Sequence, residues 1–219
     1  MTITPADPPP RLRTVHPVDP IGADPPDAIR EAKGELALAA VDISAFGNPC
    51  RDDEIQLHLR RALYHHLADA FAMTRLPWQA CYREDRGDGA LIVAPPEVEP
   101  TDMLDPLAHH LAVLLRRSNK MASDTARLRL RMAVHTGRIH GDECGITGRA
   151  LVHLFRLLDA PAFKRALNAS QADLGVIVSD HLYGEAKAHG GFFNTAAYQR
   201  LAIRSKETRT VGWLWLPTQ

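Results

Sequence analysis

The sequence predicts an α/β or α+β domain built on a mixed sheet, and three observations lead there. Strand-like and helix-like apolar patterns alternate along the chain, two adjacent strand patterns are joined by a tight Gly-Asp turn, and no internal repeat occurs. Hydrophobic residues make up 45% and charged residues 24%, the balance of an ordinary globular chain and unlike a disordered or fibrous one. At 219 residues the chain suits one domain and a tail. Eight of the 16 prolines fall within the first 26 residues, where they deny the backbone its donors and force extended shapes. Residues 1–33 are therefore expected to be a Pro-rich, disordered tail, and residues 34–219 the domain.

The domain opens with the apolar run Leu36-Ala37-Leu38-Ala39-Ala40-Val41, a buried strand that ends at Asp42. Residues 51–71 follow as a helix, with Ile55, Leu59, Leu63 and Leu67 on one face and Asp52 or Asp53 as cap. A strand over 79–83, a turn at Arg86-Gly87-Asp88-Gly89 and a strand over 90–94 read as a β-hairpin. Thr101 is placed to cap a second helix bearing Leu104, Leu107, Leu111 and Leu114/Leu115. Leu128, Leu130, Met132 and Val134 alternate with Arg129, Arg131 and Ala133, as in a half-buried strand. Residues 148–158 are helical and stop at Ala160-Pro161. Val176-Ile177-Val178 is a short strand, a short helix begins at Asp180, and two strands flank a turn at Lys206-Glu207-Thr208.

Composition excludes several functions. Twenty-six basic residues balance 26 acidic ones, so no global field draws in nucleic acid or an anionic membrane. Cys50, Cys81 and Cys144 lie far apart with no CxxC pair, which argues against a disulfide framework or structural zinc and fits a reducing compartment. His65-His66 and His109-His110 are adjacent pairs that face different ways on a helix and match no zinc spacing. No apolar run reaches membrane-spanning length. The expectation is a cytoplasmic protein with no membrane and no nucleic-acid polymer as partner.

Two carboxylates stand where chemistry could use them. Asp42 ends a buried strand, and Asp88 sits on a hairpin tip between glycines that permit close approach. Taken singly, each reads as an ordinary turn or hairpin aspartate. Together, on adjacent strand ends, they form the kind of oxygen pair that holds Mg²⁺ while phosphate and water complete its shell.

Five ordered segments make the chain resemble the class III nucleotidyl cyclases, the adenylyl and guanylyl cyclase catalytic domain. They are Val41-Asp42-Ile43-Ser44-Ala45-Phe46, the Gly87-Asp88 hairpin, Arg131 with His135-Thr136-Gly137, the helix with Gly148, Leu151 and Arg156, and Lys206 before the last strand. They span residues 35–216. The resemblance implies a ferredoxin-like α+β domain whose mixed sheet is largely antiparallel, with helices packed on it. It implies a homodimer that turns a nucleoside triphosphate into a 3′,5′-cyclic nucleotide and pyrophosphate with Mg²⁺ or Mn²⁺. Asp42, Asp88 and the backbone carbonyl of Ile43 would hold the metals. Phe46, Glu84, Arg131 and Lys206 would bind the nucleotide, and Arg156 would stabilise charge on the transferring phosphorus. In the family these groups come from both subunits.

The departures are as specific as the matches. Where the family has a ribose-orienting asparagine, four residues before the helix arginine, this chain has Val152, with His153 as the neighbouring hydrogen-bonding group. The segment from Gly137 to Gly148 is short, and its base-selecting position aligns with Gly145, one place from Cys144. The other selector is Glu84, which points away from ATP and leaves the base unnamed. The compact architecture also suits the pyrimidine cyclases of bacterial anti-phage defence, an analogy of fold alone. The alternative is a catalytically silent cyclase-like module that binds nucleotide or a partner.

Overall fold

The computed structural model describes residues 27–32, 34–190 and 193–217. Most of the expected 1–33 tail lies outside these. One turn of it, α1 (Asp27–Arg30), is helical and buries Ile29.

Among the described residues, nine strands and six α-helices follow the order α1, β1 (Leu36–Ile43), α2 (Asp53–Thr74), β2 (Tyr82–Asp85), β3 (Gly89–Val93), α3 (Leu107–Asn119), β4 (Leu130–Gly137), β5 (His140–Asp142), β6 (Gly145–Thr147), α4 (Arg149–Leu158), α5 (Pro161–Asn168), β7 (Leu174–Ser179), α6 (Asp180–His189), β8 (Gln199–Ser205) and β9 (Thr208–Trp215). Seven strands form one sheet in the order β2-β3-β1-β4-β7-β9-β8, antiparallel except for the β4–β7 pair. The architecture is mixed α+β, as the sequence predicts.

Both faces of the sheet are covered, and the period-2 rule sorts the central strand between them. Ala37, Ala39, Val41 and Ile43 face a core that includes Leu59, Leu63, Leu67 and Phe71 of α2 and Leu107, Leu111 and Leu115 of α3. Leu36, Leu38 and Ala40 face the other core, with Leu151, Leu154, Leu157 and Leu158 of α4 and Phe163 of α5. That double burial is why 36–41 reads as a continuous apolar run rather than an alternating one. Asp42 is the next even position, so its side chain falls on the α4/α5 face.

Several boundaries differ from the expected ones. Trp78–Ala80 is a 3₁₀ turn, and the strand begins only at Tyr82. Thr101 sits in a second 3₁₀ turn (Pro100–Met103), and α3 starts at Leu107 without a side-chain cap. The short segment 137–148 contains the separate β5–β6 hairpin. Pro161 does not simply end a helix. It is the first residue of α5, where a missing N–H costs nothing and its fixed φ favours helix. Asp52 is the cap of α2, accepting from the Ile55 amide at 2.9 Å.

Candidate active site

The register of three strands places the predicted residues. Asp42 on β1 lies opposite Gly89 of β3 on one side and opposite Arg131 of β4 on the other. The Ile43 amide donates to the Asp88 carbonyl at 2.8 Å, which ties the end of β1 to the hairpin tip. Gly89 has to be glycine. A Cβ there would stand 2.1 Å from the Val41 carbonyl oxygen and 2.9 Å from Asp42 Cα, far inside contact distance. Gly87 takes the left-handed turn, with φ +81°. From α2, the Tyr64 hydroxyl donates to the Gly89 carbonyl at 3.1 Å, and burial pushes that phenol up to about 12.

Asp42 is 8% exposed and bonded through both carboxylate oxygens. Arg131 Nε donates to Oδ1 at 2.7 Å and Nη2 to Oδ2 at 2.6 Å, the parallel fork in which a guanidinium matches a carboxylate. Burial pushes the Asp42 carboxyl above its ordinary range. The Arg131 hydrogen bonds and charge oppose that rise without cancelling it, Asp88 adds to it, and Lys164 opposes it.

Asp42, Asp88 and Arg131 line one cavity of about 190 Å³, together with Val41, Arg86, Gly89, Ala90, Phe155, Leu158, Asp159 and Lys164. Its floor is the end of β1 and β3, and its outer wall is the corner between α4 and α5. The loop beyond Asp42 is held rigidly. Arg51 donates to the carbonyls of Ser44, Ala45, Thr125 and Arg127 at 2.9–3.1 Å, and Ala45 takes a left-handed φ of +56°. Nothing in the residues' spacing signals Arg51, because its acceptors are backbone carbonyls, which any residue offers, and two of them lie more than 70 residues away.

The remaining predicted residues lie elsewhere. Phe46 packs against the α2/α3 core and is not part of the cavity lining. Glu84 accepts from Arg86 at 3.1 Å and is not part of it either. Asp85 beside it braces the hairpin. It is paired with Arg60 of α2, whose guanidinium holds its carboxyl below the usual range, and it accepts from the Gly87 amide at 2.6 Å. Arg156 and Lys206 form a second group. Arg156 Nη2 donates to Glu207 at 2.9 Å, next to Lys206, while its buried Nε has no partner among the described residues. Lys206 holds φ +49°, a conformation that costs a non-glycine residue energy. Val152 on α4 is 50% exposed, whereas His153 packs against His135 with the rings tilted and their centroids 4.7 Å apart. His153 therefore does not occupy the position that Val152 presents to solvent.

All the candidate metal donors are oxygens: two carboxylates and the Ile43 carbonyl. That donor set suits a hard divalent cation, and the Arg131 fork leaves each Asp42 oxygen a further lone pair. Glu35, His181 and Glu185 also bring ligand atoms within 4.8 Å of one another. That group is exposed and adjoins the opposite end of β1, seven residues or about 23 Å from Asp42, so it is no part of this cavity.

No protein-family model matches the chain, and no curated protein matches it in sequence. Solved structures do. An adenylate/guanylate cyclase/hydrolase from Silicibacter pomeroyi superposes with a TM-score of 0.58 at 16% identity, covering 84% of this chain and 97% of that one. The guanylate cyclase domain of RhGC from Catenaria anguillulae, solved with GTP, gives a TM-score of 0.55 at 17% identity, covering 85% and 97%. A bacterial light-regulated adenylyl cyclase gives 0.56 at 12% identity, covering 82% and 51%. The chain therefore has the fold of the adenylyl and guanylyl cyclase catalytic domains.

Proposed function

We propose that this protein is a nucleotidyl cyclase acting as a homodimer, forming a 3′,5′-cyclic nucleotide and pyrophosphate from a nucleoside triphosphate. The observation that carries the reading is the meeting of Asp42, Asp88 and Arg131 in one cavity of this fold. Asp42 and Asp88, which line the cavity, would hold the divalent ions, with the carbonyl of Ile43, the residue after Asp42, as a further donor. Mg²⁺ or Mn²⁺ bound there would make the ribose 3′-oxygen a better nucleophile and offset charge on the phosphate oxygens. Arg131 is the counter-charge of Asp42 before substrate arrives, and its fork turns to phosphate when it does.

Size supports a two-subunit site. Pockets that enclose a whole small ligand run from about 300 to 1,000 Å³, and this cavity is about 190 Å³. It suits a polyphosphate with its ions and leaves ribose and base to another surface. Arg156 and Lys206 are the complementary half, outside the cavity on their own chain and available to a partner's. Among the described residues the Arg156 Nε is a donor lacking an acceptor, as expected of a group that stabilises charge on a substrate. Lys206 sits on an adjacent turn to bind the polyphosphate.

One observation favours a second reading, a silent cyclase-like module. Val152 presents a solvent-facing methyl surface where orienting the ribose needs a hydrogen-bonding group. Incubation with ATP, GTP, CTP and UTP separately, with Mn²⁺ or Mg²⁺, and mass spectrometry of the products decides between them. A cyclic monophosphate from one triphosphate, lost in Asp88→Ala, establishes the enzyme and names its base. No product from any of the four, with a dimeric protein, favours the module.

A further inference from the structure

We propose that Lys164, with Arg86 facing it, binds the terminal phosphates of the triphosphate in the subunit that supplies Asp42 and Asp88. This inference rests on the nucleotide-binding reading above and adds residues to it that no motif marked.

The cavity lining holds three acids, Asp42, Asp88 and Asp159, and three bases, Arg86, Arg131 and Lys164. The bases are not equally free. Arg131 has given two nitrogens to the buried Asp42. Lys164 donates to Asp159 at 2.9 Å, with the two side chains 39% and 54% exposed, and Arg86 pairs with Glu84 at 3.1 Å on the open hairpin. Exposed pairs of this kind are weak, and a phosphate bearing more charge displaces the carboxylate readily.

Both cations are nevertheless positioned. Phe163 and Leu167, fully buried at i and i+4, seat α5 on the sheet, and Pro161 fixes its start. Lys164, one residue after Phe163, is turned by a helical step toward the α4 corner that walls the cavity. Arg86 lies with its guanidinium 5.0 Å from the centroid of the Phe155 ring on α4, which holds it against the same wall. One ammonium and one guanidinium thus enter the cavity from α5 and from the β2–β3 turn, while Asp42 and Asp88 occupy its floor. The terminal phosphates, which leave as pyrophosphate, are the substrate's most highly charged part and match these two groups. Asp159 keeps Lys164 at the cavity edge until they arrive.

The test measures binding rather than turnover. Calorimetry follows the α,β-methylene analogues of ATP, GTP, CTP and UTP with Mg²⁺, and the matching nucleoside monophosphates, on the full chain. These analogues keep the charge of the triphosphate but cannot lose pyrophosphate. For the analogue that the wild type binds, Lys164→Ala is expected to weaken affinity about tenfold or more, while Lys164→Arg stays within about threefold. Affinity for the monophosphate stays unchanged in both variants. Arg86→Ala is expected to show the same selectivity for the triphosphate. Asp159→Asn, which frees the ammonium, is expected to bind the analogue as well as the wild type or better. Wild-type affinity kept by Lys164→Ala would overturn the assignment alone, and so would an equal loss for monophosphate and triphosphate. Absence of any triphosphate binding by the wild type would overturn the nucleotide reading itself, and this inference with it.

Discussion

Replacing Arg131 with Met is the sharpest perturbation of the candidate site. It keeps much of the side-chain volume and removes both hydrogen bonds to Asp42. The two side chains are only 12% and 11% exposed, so Asp42 is left as a nearly buried carboxylate without its counter-charge. Removing one member of a buried pair costs about 3–5 kcal/mol. Both residues line the cavity rather than the closed core, so the lower bound, about 3 kcal/mol, is the expected loss. For a domain of this size each kcal/mol moves the melting temperature by about 2–4 °C, a fall of about 6–12 °C in all. Thermal and urea unfolding in EDTA at pH 7.5 measure it. Changing Asp42 to Asn in the same chain is expected to recover most of the loss, because the unpaired charge is gone. Burial already raises the Asp42 carboxyl and Arg131 holds the rise down, so the variant's carboxyl rises further. A carboxyl raised in the folded state costs stability as pH climbs through its folded value, and the deficit therefore shrinks on acidification. Excess Mn²⁺ is expected to stabilise Arg131→Met more than the wild type, by replacing the lost positive charge. A loss under about 1 kcal/mol, or no recovery in the double variant, would falsify the account of Asp42 as a buried anion balanced by Arg131.

Three further outcomes test other parts of the structure. Mixing inactive Asp88→Ala and Arg156→Ala chains is expected to restore about a quarter of wild-type activity, because half of the randomly formed dimers carry one intact composite site; no restoration would place both residues in the same half-site. Gly89→Ala forces a Cβ onto the backbone of Val41 and Asp42 and is expected to cost about 3 kcal/mol in denaturant unfolding, at the upper end for overpacking. His135 is held down to about 4 from 6.5, by burial first and then by His153 and His181, while its Nδ1 lies 2.8 Å from Ser179 Oγ. The unfolded chain then takes up the proton that the folded chain refuses, so stability falls as pH drops from about 6.5 toward 4, and His135→Gln should flatten that slope in a pH series of melting curves.

Much of the fold is legible in the sequence. The apolar run at 36–41 and the Gly-rich turn at 86–89 are local patterns, and each specifies its own element. The motif order from Asp42 to Lys206 suggested the cyclase fold. Misread elements have local causes too. Pro161 carries the same signal whether it ends one helix or begins the next, and only the buried pair Phe163 and Leu167 behind it distinguishes the cases. Thr101 is a good capping residue that the chain spends on a 3₁₀ turn, because Pro106 delays the helix.

What the sequence by itself determined is the parity that sends Asp42 to the sheet face opposite Val41, and the glycines that let a hairpin close on it. Both follow from backbone sterics within a few residues. Only the tertiary structure decided that Arg131, 89 residues away, grips that carboxylate, and that Arg86, Asp159 and Lys164 share its cavity while Arg156 and Lys206 stand outside it. Those neighbours are chosen by strand register and helix packing, which depend on the burial of the whole core, and no spacing along the chain encodes them.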